Sequence, residues 1–225
     1  PGLGWSSPVL DERHIWMTAA FEEGRSLHAL CVDRNSGSLL SDIEVFRTDE
    51  PLHVNPKNSH ASPTSVLVEG KLYVHFGSDG TACLDTASGE VLWRNQDLKV
   101  DHKEGPGSSP MIHGDRFFVN CDGTDLQYVA ALDKHTGEIL WRSTRLGEHN
   151  SDGDLCKAYS TPLVIQVGDQ EQLISVGADR TAAYDLVTGE EIWHVVYKGF
   201  SNVPRPIVGH GLVYIATGFM SPQLW

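Results

Sequence analysis

The chain has 225 residues, 40% of them hydrophobic, and a formal net charge of −13. That length accommodates one large all-β domain or two small ones, and the acidic balance argues against nucleic acid or an anionic membrane surface as the main partner. No apolar run approaches the ~20 residues needed to span a bilayer.

The chain opens "PGLGWSSPV" without a methionine or a visible signal peptide, so it is read as cut from a longer parent. Next come "SSP" at 6–8, the alternating run "HIWMTAA", and the phrase "VDRNSGSLLS" at 32–41. The same three signals return in order. "ASP" (61–63) precedes "KLYVHFG" and "LDTASGEVLW" (84–93). "SSP" (108–110) precedes "RFFVNCDG" and "LDKHTGEILW" (132–141). "STP" (160–162) precedes "QLISVGA" and "YDLVTGEEIW" (184–193), and a variant "PRP" (204–206) precedes "GLVYIATG". The aspartates Asp33, Asp85, Asp133 and Asp185 are spaced by 52, 48 and 52 residues. A period near 50 with several short strands per unit predicts a propeller or an array.

Residues 108–146 show one unit in detail. "SSPMIH" reads as a first strand, Gly114–Asp115 as a two-residue hairpin turn with positive φ, and "RFFVN" as a second strand. "CDGTDLQ" reads as a loop, "YVAALD" as a third strand, "KHTG" as a turn with Gly137 left-handed, and "EILWRSTRL" as a fourth strand. Four antiparallel strands make one propeller blade. The predicted fold is therefore an all-β propeller segment over 1–225. Its blades are near 5–50, 60–98, 107–146 and 159–198, with a partial fifth at 204–225.

A phrase used four times is architectural. Trp93, Trp141 and Trp193 are expected to wedge between neighbouring blades, each removing roughly 150–250 Å² from water. Asp85, Asp133 and Asp185 are expected to close the turns by accepting backbone N–H bonds. Gly89, Gly137 and Gly189 let the chain reverse beneath the rings. The tryptophan position of the first unit holds Ser41, so different packing is expected there. Cys31 and Cys83 occupy the position of Ala131 and Ala183 and read as small buried fillers. With Cys121 and Cys156 they form no Cys-x-x-Cys pair.

Chemistry is expected on one rim, where the long loops carry charge and histidine. The candidates for ligand binding are His60, Glu104, Lys157, Asn202, Arg205, Asp79, Asp122, Asp125 and Asp179. Carboxylates with an asparagine could hold calcium. His53, His60, His102 and His149 fall in these loops without a metal-ligand spacing. Ser108–Ser109 and Ser160–Thr161 recur with the repeat and read as backbone-bonding groups, not nucleophiles.

The repeat resembles the tryptophan-docking motif of quinoprotein alcohol dehydrogenase-like propellers, Ala-x-Asp-x-x-Thr-Gly-x-x-x-Trp. Ala131, Asp133, Thr136, Gly137 and Trp141 match in full, as do Ala183, Asp185, Thr188, Gly189 and Trp193. Cys83, Asp85, Ser88, Gly89 and Trp93 match with two small changes. "GTACLDTASGEVLWRN", "GPGSSP" and "GFSNVPRP" are also similar to bacterial propellers of planctomycete type, named for pyrroloquinoline-quinone (PQQ)-like repeats and assigned to the cell envelope. The resemblance implies seven or eight blades in all. The missing ones would come from the parent chain or from a second copy. Together with a repeat-dominated sequence that has no one-copy catalytic signature, it points to a non-catalytic scaffold for a protein or small-molecule ligand, the role of the outer-membrane assembly lipoprotein of the superfamily. The alternative is a quinoprotein dehydrogenase with PQQ and calcium. That family often has two adjacent cysteines and a tryptophan over the quinone. No adjacent cysteines occur here, and Trp5 is the one remaining tryptophan read as facing the axis.

Overall fold

A computed structural model describes residues 2–147 and 150–225. The protein is all-β, and among the described residues the only helical elements are three short 3₁₀ turns at Glu22–Gly24, Gly77–Asp79 and Gly153–Leu155. Four antiparallel sheets each contain four strands in sequence order. The first holds β1 (Val9–Leu10), β2 (His14–Phe21), β3 (Ser26–Asp33) and β4 (Leu39–Arg47). The second holds β5 (Val66–Val68), β6 (Lys71–His75), β7 (Thr81–Asp85) and β8 (Val91–Asn95). The third holds β9 (Met111–His113), β10 (Arg116–Asp122), β11 (Gln127–Asp133) and β12 (Ile139–Thr144). The fourth holds β13 (Leu163–Val167), β14 (Gln170–Val176), β15 (Arg180–Asp185) and β16 (Glu191–Val196). Two pairs follow, β17 (Ile207–Gly209) with β18 (Leu212–Tyr214), and β19 (Ala216–Thr217) with β20 (Gln223–Leu224).

Two-residue turns set the register of the first hairpin in four of these groups. Gly114 has φ 55° between paired His113 and Arg116, and Gly168 has φ 58° in the equivalent turn. Glu69–Gly70 and His210–Gly211 have positive φ at both central positions, which matches the twist of the flanking strands.

The repeated phrase builds the second kind of turn. In Asp33, Asp85 and Asp185 one carboxylate oxygen accepts the backbone N–H groups two and three residues on. The same oxygen accepts the hydroxyl of Ser36, Ser88 or Thr188. The glycines at 37, 89, 137 and 189 have φ of 71–75°. Each outer strand then carries a bulge. Trp93 pairs with Cys83 while Leu84 pairs with Val91, so Leu92 is skipped. Leu40, Leu140 and Ile192 are skipped in the same way, and all four aliphatic side chains are exposed.

Cross-strand pairing defines one rung per sheet, with its side chains on one face. The second sheet has Val66, Tyr73, Cys83 and Trp93 in line. The third has Met111, Phe118, Ala131 and Trp141, and the fourth has Leu163, Ile174, Ala183 and Trp193. A small third residue leaves room for the indole. In the first sheet the rung is Val9, Trp16, Cys31 and Ser41. The indole has moved two strands inward, and Trp16 is 1% exposed in the core.

The chain divides into two compact units. The first comprises residues 1–99, 103–106 and 134–137. Its core brings Trp16, Leu27 and Phe46 of the first sheet onto Leu72, Phe76 and Leu84. The Trp93 indole N–H donates to the Lys134 carbonyl at 2.9 Å, and a Cβ on Gly137 would lie 2.5 Å from that ring. Asn95 donates to the Gly137 carbonyl. Ile43, the counterpart of Asn95, packs against Gly89 where the first sheet lacks the outer tryptophan. The second unit comprises 100–102, 107–133 and 138–225. There Phe118, Val129 and Trp141 pack on Leu173, Tyr184 and Leu186. Trp141 donates to the Leu186 carbonyl at 3.1 Å, and a Cβ on Gly189 would lie 2.6 Å from its ring. Trp193 is half-buried and donates instead to the side chain of Gln172 at 2.8 Å. All four cysteines are buried free thiols.

Gly137→Ala combines left-handed strain with a clash on Trp93 and should cost about 2–4 kcal/mol. Gly114→Ala meets nothing within 4 Å and should cost about 1 kcal/mol. Urea denaturation of the two variants separates the indole contact from backbone strain. The Asp85 carboxylate is held below the usual range by Lys71 and then by Ser88. That of Asp185 is lowered by the backbone N–H groups of Thr188 and Val187. A depressed folded pKa contributes stability above the unfolded value, near ~4, that is lost as pH falls through the folded value. Asp85→Asn with Asp185→Asn should therefore flatten the acid limb of stability, measured as the denaturation midpoint from pH 6 to 2.

Candidate functional site

The loop rim of the second unit is built from backbone. Gly177–Asp179 joins β14 to β15, and Asp179 takes φ 57°. Its N–H donates to the Gly199 carbonyl, its carbonyl accepts from Tyr197, and its carboxylate accepts the Gly199 N–H at 2.8 Å. Asn202 is fully buried. Its amide donates to Gly177 and Gly199, and its oxygen accepts the Gly218 N–H. Both residues thus clamp the 197–202 loop against the sheet.

Behind this loop lies a buried polar chain. Arg145 grips both oxygens of Asp122 and donates to Ser175. Ser175 donates to Asn120 at 2.5 Å, and Asn120 donates to the Ser160 carbonyl. Burial opposes the charge on Arg145, but Asp122 outweighs it and raises its pKa. Ser108 also donates to the Ser160 carbonyl, and Ser160 to that of Pro204. The recurrent serines are thus backbone-bonded.

In front of the chain a pocket of about 340 Å³ opens between residues 145–147, Asn150, Leu155–Cys156, 178–180 and 196–198. Arg145, Arg180, Lys198 and Asp179 supply its charged lining. Arg180 pairs with Glu191 at 2.7 Å. Burial pushes the Tyr197 hydroxyl up to about 12, so it stays protonated and donates to the Gly177 carbonyl. Cys156 lines the wall, but burial raises its thiol pKa, which disfavours a thiolate nucleophile.

The first unit brings two sequence candidates together. His60 and Asp79 are both buried, with Nδ1 and Oδ2 3.7 Å apart and neither atom hydrogen-bonded. The ring of His60 fills the space a Cβ on Gly24 would need. His60 borders a 260 Å³ pocket and Asp79 a 160 Å³ one. Glu104 accepts from the Asn55 amide at 2.7 Å.

The other candidates lie apart from these. Asp125 caps its own turn and accepts the Asp101 N–H. Lys157 is buried, bound to the Asp154 carbonyl and carboxylate, and lies over the Phe200 ring. Arg205 is exposed beside the Met111 sulfur. His53 is exposed, the His102 carbonyl accepts from Tyr159, and His149 lies outside the described residues. Calcium wants six to eight oxygens. Asp122, Glu104 and Asn202 are each engaged by other groups, so this donor set does not fit the ion. Among the described residues no group of three or more His, Cys, Asp or Glu side chains could hold a metal.

One constellation was not anticipated. Ser26 Oγ lies 2.6 Å from His28 Nε2, and His28 Nδ1 lies 2.5 Å from Asp42. The order is that of an acyl-transfer triad. Yet Ser26 is 1% exposed and donates its proton to Glu44, so no substrate carbonyl reaches it. Alternation puts residues 26 and 28 on one face of β3, but their pairing with β4 depends on a bulge between Leu27 and His28.

The family model described as outer membrane protein assembly factor BamB matches residues 25–220. The chain belongs to that family. Its four-stranded sheets are those of a PQQ-like repeat propeller. BamB from Moraxella catarrhalis superposes with a TM-score of 0.60 at 18% identity, over 95% of this chain and 56% of that one. A europium-containing methanol dehydrogenase gives 0.65 at 12% identity, over 96% and 49%. The quinohemoprotein alcohol dehydrogenase from Comamonas testosteroni gives 0.59 at 14%, over 98% and 40%. The BamB-family chain thus spans about half the length of these structures or less. No match was found among curated proteins. No helix among the described residues is long and apolar enough to cross a membrane.

Arg145→Met strands the buried Asp122 carboxylate and should cost about 3–5 kcal/mol. Arg145→Met with Asp122→Leu should recover much of that loss, read from urea denaturation of both variants.

Proposed function

We propose that this chain is a non-catalytic propeller scaffold that binds a protein or small-molecule ligand through its loop rim in the bacterial cell envelope. The observation that carries the reading is the engagement of the rim's polar side chains. Asp179 and Asn202 clamp backbone, Asp122 is locked to Arg145, and Lys157 is bound to Asp154. Groups held this way shape a surface, whereas a general base must reach the proton it abstracts. The family description, an outer membrane protein assembly factor, supports a protein partner and an envelope location.

The dehydrogenase alternative predicts a measurable difference. The purified full chain, mixed with calcium and PQQ, should oxidise no alcohol in a dye-linked assay. A quinone absorbance band accompanied by turnover would replace the scaffold with a quinoprotein enzyme.

A further inference from the structure

We propose that the rim pocket of the second unit binds a carboxylate carried on an aliphatic group, an inference that rests on the binding reading above and names its ligand class. The pocket's size falls within the ordinary range for small-molecule sites, roughly 300–1,000 Å³. Its lips are aliphatic. Leu146 is 61% and Val196 66% exposed, and both line the opening. Exposed aliphatic side chains at the mouth of a concave site offer apolar surface to a ligand.

Two of its cations are held in ion pairs, Arg145 with Asp122 and Arg180 with Glu191. Among the described residues Arg145, Arg180 and Lys198 line it together with one acid, Asp179. Asp179 already accepts the Gly199 N–H. Arg145 is tied to Asp122 and Ser175 and so forms a fixed floor whose charge Asp122 balances. Arg180 is different. It gives one N–H to Glu191, its Nε is buried without a partner, and its Nη1 faces Gly147 on the pocket wall. A guanidinium has five donors, so this one keeps capacity for an anion. Lys198 is exposed, and no described carboxylate lies within ion-pair distance of it. Gly147 contributes as well, because a Cβ there would lie 3.1 Å from Arg180 and narrow the approach.

An ammonium at the mouth, a guanidinium with spare donors on the wall and two aliphatic lips complement a carboxylate with an adjoining alkyl group. A free short-chain acid has that chemistry, and so does the C-terminus of a polypeptide ending in leucine or valine. Both would make charge-assisted hydrogen bonds to Arg180 and Lys198.

The test titrates the full chain by calorimetry with three probes: hexanoate, an acetylated tripeptide ending in Leu-COO⁻, and the same tripeptide amidated. At least one acid should bind saturably, and the amide should bind about tenfold or more weaker than the peptide acid. Tighter binding of the peptide acid than of hexanoate assigns the pocket to polypeptide termini, and the reverse order to small acids. Lys198→Gln should weaken the acids several-fold without shifting the melting temperature, since Lys198 is exposed. Val196→Glu should abolish binding. Equal binding of acid and amide, no saturable binding of either acid, or an unchanged affinity in Lys198→Gln would overturn the proposal. None of these outcomes bears on alcohol oxidation, so failure here is distinct from failure of the scaffold reading.

Discussion

An indole over a glycine turn is the contact on which this structure depends. Trp93 and Trp141 each leave an outer strand, donate a hydrogen bond to a carbonyl of the next turn and press on a glycine with no side chain. Asp185, which begins the turn under Trp141, gathers the N–H groups of Val187 and Thr188, so the loop presents the Leu186 carbonyl at a fixed place. The small residue beneath the indole, Cys83 or Ala131, makes room within the strand's own rung.

The first sheet shows how far that arrangement can bend. Its outer rung position is Ser41, and a tryptophan stands two strands inward at Trp16. Trp16 packs in the core of the first unit, and Ile43 covers the neighbouring glycine. Core packing requires volume and shape more than a particular donor of that volume. The cost is visible too, since the Trp16 indole N–H is buried without a hydrogen-bond partner.

Much of the fold was legible because its signals are local. Alternation, the Gly114 turn and the repeated aspartate, glycine and tryptophan depend on residues within ten positions of each other. The inward tryptophan was not legible, because nothing in "HIWMTAA" distinguishes a core residue from a displaced one. The rim was legible as a region but not in its roles. Asn202 and Asp179 read as ligand groups from composition, yet their partners are backbone groups some 15 to 25 residues away. His60 and Asp79 lie 19 residues apart in the chain, and only the fold sets them 3.7 Å apart. The Ser26–His28–Asp42–Glu44 chain is not legible in the sequence because a bulge sets its cross-strand register.

The bulges have a consequence beyond turn geometry. Each outer strand skips an aliphatic residue, Leu40, Leu92, Leu140 or Ile192, just before its tryptophan position. A bulged edge is twisted and out of step with a straight strand, so it makes a poor template for another chain. The irregularity that aims each ring inward thus also protects the outer rim from stacking with its neighbours in a crowded solution.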